Sequence, residues 1–404
     1  MPSIDSTPNR FIGLDIHKHY FVAIGVDHQL NQIFGPHQAN IHHLEQWAEK
    51  NLTKQDAVVV EMTTNTYSVY DALLPLVHSV TVVHPPHVAL IVRAQVKTDK
   101  KAALSLAQLH AAGLLPSVWI PPVEIRQLRA LIAHRRKMVR LVGTAKNRLH
   151  AFLQRHRIQP PGDFSLFDPM LKDWWKVQPA AEIEKIVVQS DLETLEFAQQ
   201  QVEKLDQRIN EIAAKNETVP LLIQLPGIGP LTALTIIAAV GDIARFGSAK
   251  KLVGYAGLGA RVHDSGMAYT TGRITKAGRR DLRRAMVDAA NHTVDKNPFW
   301  RAQYQQLEKR LGRSKAIVAI ARKLLVAVWH IWSKEVADRH ADPVKVARSY
   351  FGFVYKTGVR NLPEKQTALG FTRKQLDRIG IGMDLKEIPW GSKRFKLPPS
   401  QLRK

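Results

Sequence analysis

Three acidic residues of this chain stand in settings that suit a metal ligand: Asp15, Glu61 and Asp99. Asp15 has apolar neighbours, and a carboxylate on a buried strand is costly unless a cation compensates it. Glu61 ends a run of apolar residues, at the carboxyl edge of a predicted strand where functional groups commonly lie. Acids from adjacent strands and a helix can hold two Mg²⁺ ions about 3.5–4 Å apart, which polarise a phosphodiester. Taken singly, each acid is more often a cap or a salt-bridge partner.

A second chemical feature lies far downstream, in the segment His263-Asp264-Ser265-Gly266. Glycines punctuate this segment and no helical period runs through it, so we predict a polar loop in which Ser265 either attacks phosphate or only forms a turn. His17, His19 and His263 are further candidates for metal binding or proton transfer, although isolated histidines are more often ordinary surface or core residues. Basic residues that follow the loop and favour a nearby phosphate are Arg273, Lys276, Arg279, Arg280, Arg283 and Arg284.

The composition also favours a protein that acts on nucleic acid. The 404 residues carry a formal charge of +23, which is typical of a protein that binds a polyanion. The absence of cysteine excludes disulfides, thiolate zinc sites and cysteine nucleophiles, and fits a reducing cytoplasm. No uninterrupted apolar run reaches about 18 residues and no signal peptide is evident, so we expect no membrane partner. The rival interpretation is a basic enzyme unrelated to nucleic acid.

Elements that would position the acids alternate between strand and helix. Residues 11–26 predict a buried hairpin with one polar patch, and residues 57–61 and 79–83 predict strands separated by helices. This alternation predicts an α/β domain with a central sheet over residues 1–123. A helix is expected to carry Lys97 and Asp99, and Lys18 lies in the polar patch of the hairpin.

Residues 124–216 are predicted to be helical, in two runs, and the second run suits a long helical hairpin or a short coiled coil. The first run is strongly basic with few balancing acids, which favours a track for an RNA or DNA backbone over a merely solvated face. Its candidate nucleic-acid-binding residues are Arg135, Arg136, Lys137, Arg140, Lys146 and Arg148. Packing within one chain and oligomerisation are equally open explanations of the second run.

The region 217–341 is predicted to be mostly helical. Gly227 and Gly229 lie in a turn before an apolar helix, where exposed backbone N–H groups at the helix start can bind a phosphate. A glycine turn without a ligand explains the same pattern. Residues 342–404 are rich in Lys, Arg and Pro without clear periodicity, and we expect a small basic extension that orders on nucleic acid.

Taken together, these stretches resemble a family: the insertion-sequence transposases with an N-terminal DEDD domain, which include the Piv-type DNA invertases. The likeness spans roughly residues 10 to 335. It is carried by GLDIHK (13–18), VVVEMT (58–63), KTDKKAALSLAQL (97–109) and the long block from LPGIGPLTA to GRRDLRRAMVDAA (225–290).

This resemblance implies a RuvC-like (RNase H-type) α/β domain, a helical coiled-coil middle and a mostly α transposase domain that carries the serine. It implies that Asp15, Glu61 and Asp99 bind Mg²⁺ and that Ser265 forms a covalent link to DNA. The implied partners are target and donor DNA, a structured guide (bridge) RNA, and further copies of the chain in a tetramer. A cytoplasmic, nucleoid-associated location in a bacterium is implied as well.

One position departs from the family pattern. The family motif is K-x-D-x-x-D, and its second Asp is Ala102 in this chain. Residues three apart share a helical face, so one expected metal ligand is missing, and Ser105 is only a weak substitute. Two rivals to an RNA-guided recombinase therefore stay open. One is a metal-dependent nuclease of the Holliday-junction type with water as nucleophile, and the other is a chain that binds nucleic acid with impaired catalysis.

Overall fold

The computed structural model describes residues 7–86, 88, 98–162, 165–265 and 268–402, with the backbone alone at 169, 262–265, 268–272 and 365. The chain divides into two compact units, Met1–Pro121 and Pro122–Lys404. The second unit joins the predicted segments 124–216, 217–341 and 342–404, and the finer division of the chain stays a prediction.

The N-terminal unit is built on a mixed sheet of five strands, β1 (Arg10–Ile16), β2 (Tyr20–Val26), β3 (Gln32–Asn40), β4 (Asp56–Glu61) and β5 (Ser79–Val83), which lie in the order β3-β2-β1-β4-β5. Strands β1, β2 and β3 are antiparallel neighbours, whereas β4 pairs in parallel with β1 and with β5. The central strands are apolar on both faces because helices cover the sheet, as is usual for parallel strands. This confirms the predicted α/β unit and its hairpin. Its helices among the described residues are α1 (Leu44–Asn51), α2 (Thr66–Leu73) and α3 (Asp99–Ala111).

An ion pair between Arg10 and the buried Asp56 joins β1 to β4 at the first residue of each strand. Asp56 is fully buried and accepts two hydrogen bonds from the Arg10 guanidinium, at 2.7 Å each. The carboxylate also accepts the Thr53 backbone N–H at 2.6 Å. Because β1 and β4 are parallel, a pair at their common start leaves their carboxyl ends free for other side chains.

The C-terminal unit begins with a helical hairpin of α4 (Val123–His156) and α6 (Glu182–Lys215). Bonds between the two helices join Arg135 to Asp206, Arg148 to Asp191 and His156 to Glu184. The residue numbers rise along one helix as they fall along the other, so the helices are antiparallel. The sequence left a long helical hairpin and a short coiled coil open for the second run, and the structure shows that run paired with the first in a hairpin. A short helix, α5 (Lys172–Lys176), lies in the connection, where Trp175 is buried.

The remainder of the C-terminal unit packs around one large apolar core. Helix α12 (Arg313–Lys334) is long and apolar enough to cross a membrane, but eight of its residues are buried, among them Ile320, Leu324 and Val328, so it is a core helix. The elements are α7 (Thr218–Ile223), α8 (Pro230–Val240), α9 (Ala249–Tyr255), β6 (Ala260–Ser265), β7 (Ala268–Ile274), α10 (Arg280–Lys296), α11 (Pro298–Leu311), α12 (Arg313–Lys334), α13 (Pro343–Thr357), α14 (Ala368–Arg378), β8 (Glu387–Trp390) and β9 (Lys393–Lys396).

The expectation of a C-terminal extension that orders only on nucleic acid is wrong. Helix α13 starts with Asp342 as its cap, whose carboxylate accepts the backbone N–H groups of Val344 and Lys345, and with Pro343 in its first turn. Its Tyr350 and Val354 are fully buried in the same core as α12. The apolar residues recur at helical spacing within this basic sequence, which is why the segment folds without a partner.

Candidate metal centre

The carboxyl ends of β1 and β4 bring two of the predicted acids to one edge of the sheet. The parallel register pairs Leu14 with Val60, and Asp15 and Glu61 each follow that pair by one residue. Residues at matching positions of neighbouring strands project to the same face of a sheet. Asp15 and Glu61 therefore lie side by side at this edge, both half-buried.

Helix α3 brings the third acid to the same edge. Asp99 is the first residue of α3, and Thr98 caps the helix by accepting the Lys101 backbone N–H. The helix lies close against β1 because Gly13 has no side chain: a Cβ there would overlap the Ala103 carbonyl and lie 2.7 Å from the Ala107 nitrogen. This close packing holds the first turn of α3 beside the end of β1.

A histidine completes the group that the strand and the helix assemble. The His17 Nε2 atom lies 3.4 Å from Oδ2 of Asp15 and 3.4 Å from Oδ1 of Asp99. One ligand atom from each of these three residues lies within 4.8 Å of the other two, a spacing that can hold a metal ion. Glu61 lies next to Asp15 in the strand register, but it is not one of the three residues of this tight group.

Tyr20 supports the group from the start of β2. Its hydroxyl donates to Oδ2 of Asp99 at 2.9 Å, and its ring stacks on that of His17 with centroids 4.6 Å apart. The backbone N–H of His17 donates to the Tyr20 carbonyl at 2.9 Å, which closes the β1–β2 turn. Sequence reasoning missed Tyr20, although it borders the polar patch of an otherwise apolar hairpin.

Burial raises the pKa of the Asp15 carboxyl; the charge of His17 opposes this shift and the charge of Asp99 adds to it. The raised pKa means that the protein alone compensates this negative charge poorly. A bound cation would supply the missing compensation. The residues present therefore fit a divalent ion, with two carboxylates and one imidazole nitrogen converging at one point.

The gap in the family motif lies on the same helix. Ala102 is half-buried one turn after Asp99, and its methyl group offers no ligand atom. Ser105, one turn further, is also half-buried. Lys18 is exposed in the turn between β1 and β2, and Lys97 lies outside the described residues.

The predicted serine loop is a strand hairpin instead. Residues 260–265 form β6, which pairs antiparallel with β7, and Ser265 is its last residue, opposite Ala268. His263 and Asp264 precede it in β6, and the turn at 266–267 lies outside the described residues. The aromatic and β-branched residues Tyr269, Thr270, Thr271 and Ile274, which favour strands, were the signal for the returning strand.

The basic residues of α4 fall into two groups. Arg135 makes two hydrogen bonds to Asp206 at 2.5 and 2.8 Å, Arg148 pairs with Asp191 at 3.2 Å, and Lys146 lies 4.8 Å from the centre of the Phe167 ring. These three cations hold the hairpin together. A second group is exposed and, within the part of the chain that the structure describes, pairs with no acid: Arg136, Lys137 and Arg140.

The glycine turn before α8 has a packing role. Gly227 has φ +82°, and a Cβ there would overlap Ala289 and Thr293 of α10. Gly229 meets nothing within 4 Å. The turn lines a cleft of about 700 Å³ with His292, Lys296 and Lys345, so a phosphate could approach it.

The basic residues after the hairpin are divided in the same way. Arg279 forms two hydrogen bonds with Asp281, and Arg283 donates to the Ala256 carbonyl at 2.9 Å. Residues left exposed for an external anion are Arg273, Lys276, Arg280 and Arg284, the last lying 3.7 Å from Asp288.

Comparison with known proteins places these features in context. Residues 12–158 match a transposase model with a DEDD domain, and residues 219–305 match the Transposase IS116/IS110/IS902 family. The transposase for insertion sequence element IS1111A of Coxiella burnetii is 24% identical over 82% of this chain and 91% of its own length. The pilin gene-inverting protein of Moraxella bovis is 27% identical over 78% of this chain and 93% of its own. A putative transposase of Sinorhizobium fredii is 28% identical over 72% of each.

Proposed function

Since the chain belongs to the IS116/IS110/IS902 transposase family, we propose that it cuts and rejoins DNA strands with a divalent metal held in its N-terminal unit and with Ser265 as nucleophile. The observation that carries the metal-dependent part is the convergence of Asp15 and Asp99, from a strand and a helix far apart in sequence, on one imidazole nitrogen. Glu61, beside Asp15 in the register, is the third acid of the proposed site. The mixed sheet with acids at its carboxyl edge supports a RuvC-like (RNase H-type) assignment.

The chemistry has two steps. In the first, the Ser265 hydroxyl gives up its proton as Oγ attacks a backbone phosphorus, an Oγ–P bond forms, and the bond from phosphorus to the deoxyribose oxygen breaks as that oxygen takes up a proton from solvent. In the second, a hydroxyl from another strand gives up its proton as it attacks the phosphoserine, the new phosphodiester bond forms, the Oγ–P bond breaks and Oγ regains a proton. Asp15, Glu61 and Asp99 would hold Mg²⁺, which when bound polarises the phosphate and stabilises the departing oxygen.

We propose in addition that a structured RNA guides the reaction and that the active form is a tetramer. The exposed cations of α4 support a nucleic-acid partner, because Arg136, Lys137 and Arg140 form no ion pair with an acid among the described residues. Sequencing of RNA that co-purifies with the protein tests this part. One structured RNA species is the expected result, and a protein that recombines DNA without RNA would contradict it.

Metal-dependent cleavage is tested with the variant Asp15→Asn on supercoiled DNA carrying the donor ends. We expect cleavage to fall by at least about a hundredfold, because a carboxamide is a poor ligand for a hard cation. Glu49→Gln is the matched control, since Glu49 is an exposed acid of the same unit. Equal cleavage by the two variants would remove the acids from the mechanism.

The departure at position 102 supports a second possibility. Without a carboxylate there, the chain can bind nucleic acid yet cut it slowly. Binding at normal affinity with cleavage restored by Ala102→Asp is the result that distinguishes this possibility from full activity.

A further inference from the structure

Resting on the proposed metal-dependent chemistry, we infer that His17 is a direct metal ligand through Nε2. It completes the shell that the missing carboxylate at position 102 leaves open. We infer further that this nitrogen makes the site favour Mn²⁺ over Mg²⁺.

The geometry places Nε2 where a third ligand of a shared ion would be. It lies 3.4 Å from Oδ2 of Asp15 and 3.4 Å from Oδ1 of Asp99. Ligand atoms bound about 2.1 Å from one ion, at angles between 90° and 110°, lie roughly 3.0 to 3.4 Å apart. The protein therefore already holds the nitrogen at a distance from both oxygens that one ion would require.

The contact does not have the geometry of an ordinary hydrogen bond, which would be about 2.9 Å long and directed at one partner. Nε2 is shielded from solvent, and among the described residues it has no hydrogen-bond partner. It is equally distant from two carboxylate oxygens, as a ligand atom that shares one ion with them would be.

The surroundings of His17 hold the ring in this orientation. Tyr20 stacks on the imidazole and donates its hydroxyl to Oδ2 of Asp99, the oxygen that does not face His17. Metal-binding carboxylates are commonly oriented by such an outer hydrogen bond. The Tyr20 bond leaves Oδ1 of Asp99 available for the ion.

Ala102 on α3 is the reason that a metal ligand from His17 matters. With Ala102 in place of an acid, the helix supplies one carboxylate from its first turn instead of two. Mg²⁺ prefers oxygen ligands, whereas an imidazole favours first-row transition ions. Exchange of an oxygen for a nitrogen ligand should therefore shift the selectivity of this site towards Mn²⁺.

The experiment uses Mn²⁺ itself as the probe on the full chain. Electron paramagnetic resonance gives Mn²⁺ affinity, pulsed methods detect the nitrogen-14 coupling of a bound imidazole, and competition gives Mg²⁺ affinity. His17→Phe keeps a ring that can stack on Tyr20 but removes the nitrogen. His19→Ala, an exposed histidine two residues away, is the matched control, and circular dichroism checks that each variant folds.

We expect imidazole coupling in the unaltered protein and in His19→Ala, and its loss in His17→Phe. Mn²⁺ affinity should fall about tenfold or more in His17→Phe while Mg²⁺ affinity changes less than about threefold. Mn²⁺ bound without imidazole coupling, yet lost in Asp15→Asn, would overturn the role of His17 and leave the proposed function standing. Failure of the unaltered protein to bind either ion would overturn both.

Discussion

Gly13 on β1 lies directly beneath the Ala103 carbonyl of α3, so close that a Cβ at position 13 would overlap it. This contact fixes the distance between the strand that carries Asp15 and the helix that carries Asp99. The metal centre therefore depends on the absence of a side chain at a residue that binds nothing. A helix can approach a strand this closely only over glycine.

Gly13→Ala is expected to push α3 away from the sheet. The new methyl group meets backbone atoms, which cannot rotate aside, so we expect a loss of about 1–3 kcal/mol in the free energy of unfolding. Mn²⁺ affinity should fall as well, since Asp99 moves with the helix. Gly143→Ala, at a helical position open to solvent, is the control and should be neutral or stabilising. Calorimetry and Mn²⁺ titration measure the two effects, and unchanged Mn²⁺ affinity would contradict the positioning role.

His110 should make the N-terminal unit sensitive to acid. Burial lowers the pKa of this histidine to about 4, and its ring packs edge-on against Phe11. The unfolded chain, with a pKa near 6.5, then binds the proton more readily than the folded one. Stability is complete above pH 6.5 and declines as the pH falls towards 4, by about 3 kcal/mol at most.

His110→Gln removes the proton-binding group and should flatten this decline. Hydrogen–deuterium exchange of peptides from α3, followed between pH 7 and pH 4.5, provides the measurement. Equal loss of protection on acidification in the variant and the unaltered protein would assign the acid sensitivity to other groups.

The two groups of arginines on α4 should separate by experiment. Arg136→Ala with Arg140→Ala removes two exposed charges, so binding to duplex DNA should weaken and the slope of log affinity against log salt should fall by about 2. Thermal stability should stay the same. Arg135→Ala should lower thermal stability and leave the salt slope unchanged, because it leaves Asp206 without its partner across the hairpin. A salt slope unchanged in the double variant would remove this face from the nucleic-acid interface.

Ala102→Asp restores the acid that the family motif carries at this position. Strand cleavage in Mg²⁺ should rise, by about tenfold, if the missing carboxylate limits the activity of the chain. The gain should be smaller in Mn²⁺, because His17 already supplies a nitrogen ligand that favours that ion. Ala102→Asn, of nearly the same shape but without the charge, is the control. Activity that is the same in all three proteins would make the fourth carboxylate dispensable here.

Sequence patterns predicted the elements that carry the acids, because strands such as 57–61 are short apolar runs with clear ends. They also predicted two helical runs over 124–216, with a long hairpin or a short coiled coil as alternatives, but not that α4 and α6 pair with each other. They named His17 as a candidate ligand but did not bring it together with Asp15 and Asp99, since the contact between His17 and Asp99 arises only when α3 packs on Gly13. A pattern of residue types does not show which face of a turn meets a distant helix.

The C-terminal helices and the β6–β7 hairpin were missed for a different reason. Abundant Lys and Arg obscured the apolar spacing around Tyr350 and Val354, and the glycines near Ser265 favoured a loop over strands. The sequence did not show which basic residues of α4 hold the hairpin and which stay exposed, because Arg135 and Arg136 look alike in sequence. Their different roles follow from the position of Asp206 on the opposite helix.

The central claim is that the acids and Ser265 act in one reaction, and covalent trapping tests it most directly. The protein is mixed with metal ion, co-purifying RNA and a nicked suicide DNA, and the digested product is analysed by mass spectrometry. DNA attached to the peptide that contains Ser265 is the expected product. The adduct should be absent in Ser265→Ala, in Asp15→Asn and after chelation of the metal. Cleaved DNA with free ends and no adduct, or an undiminished adduct in Ser265→Ala, would contradict it.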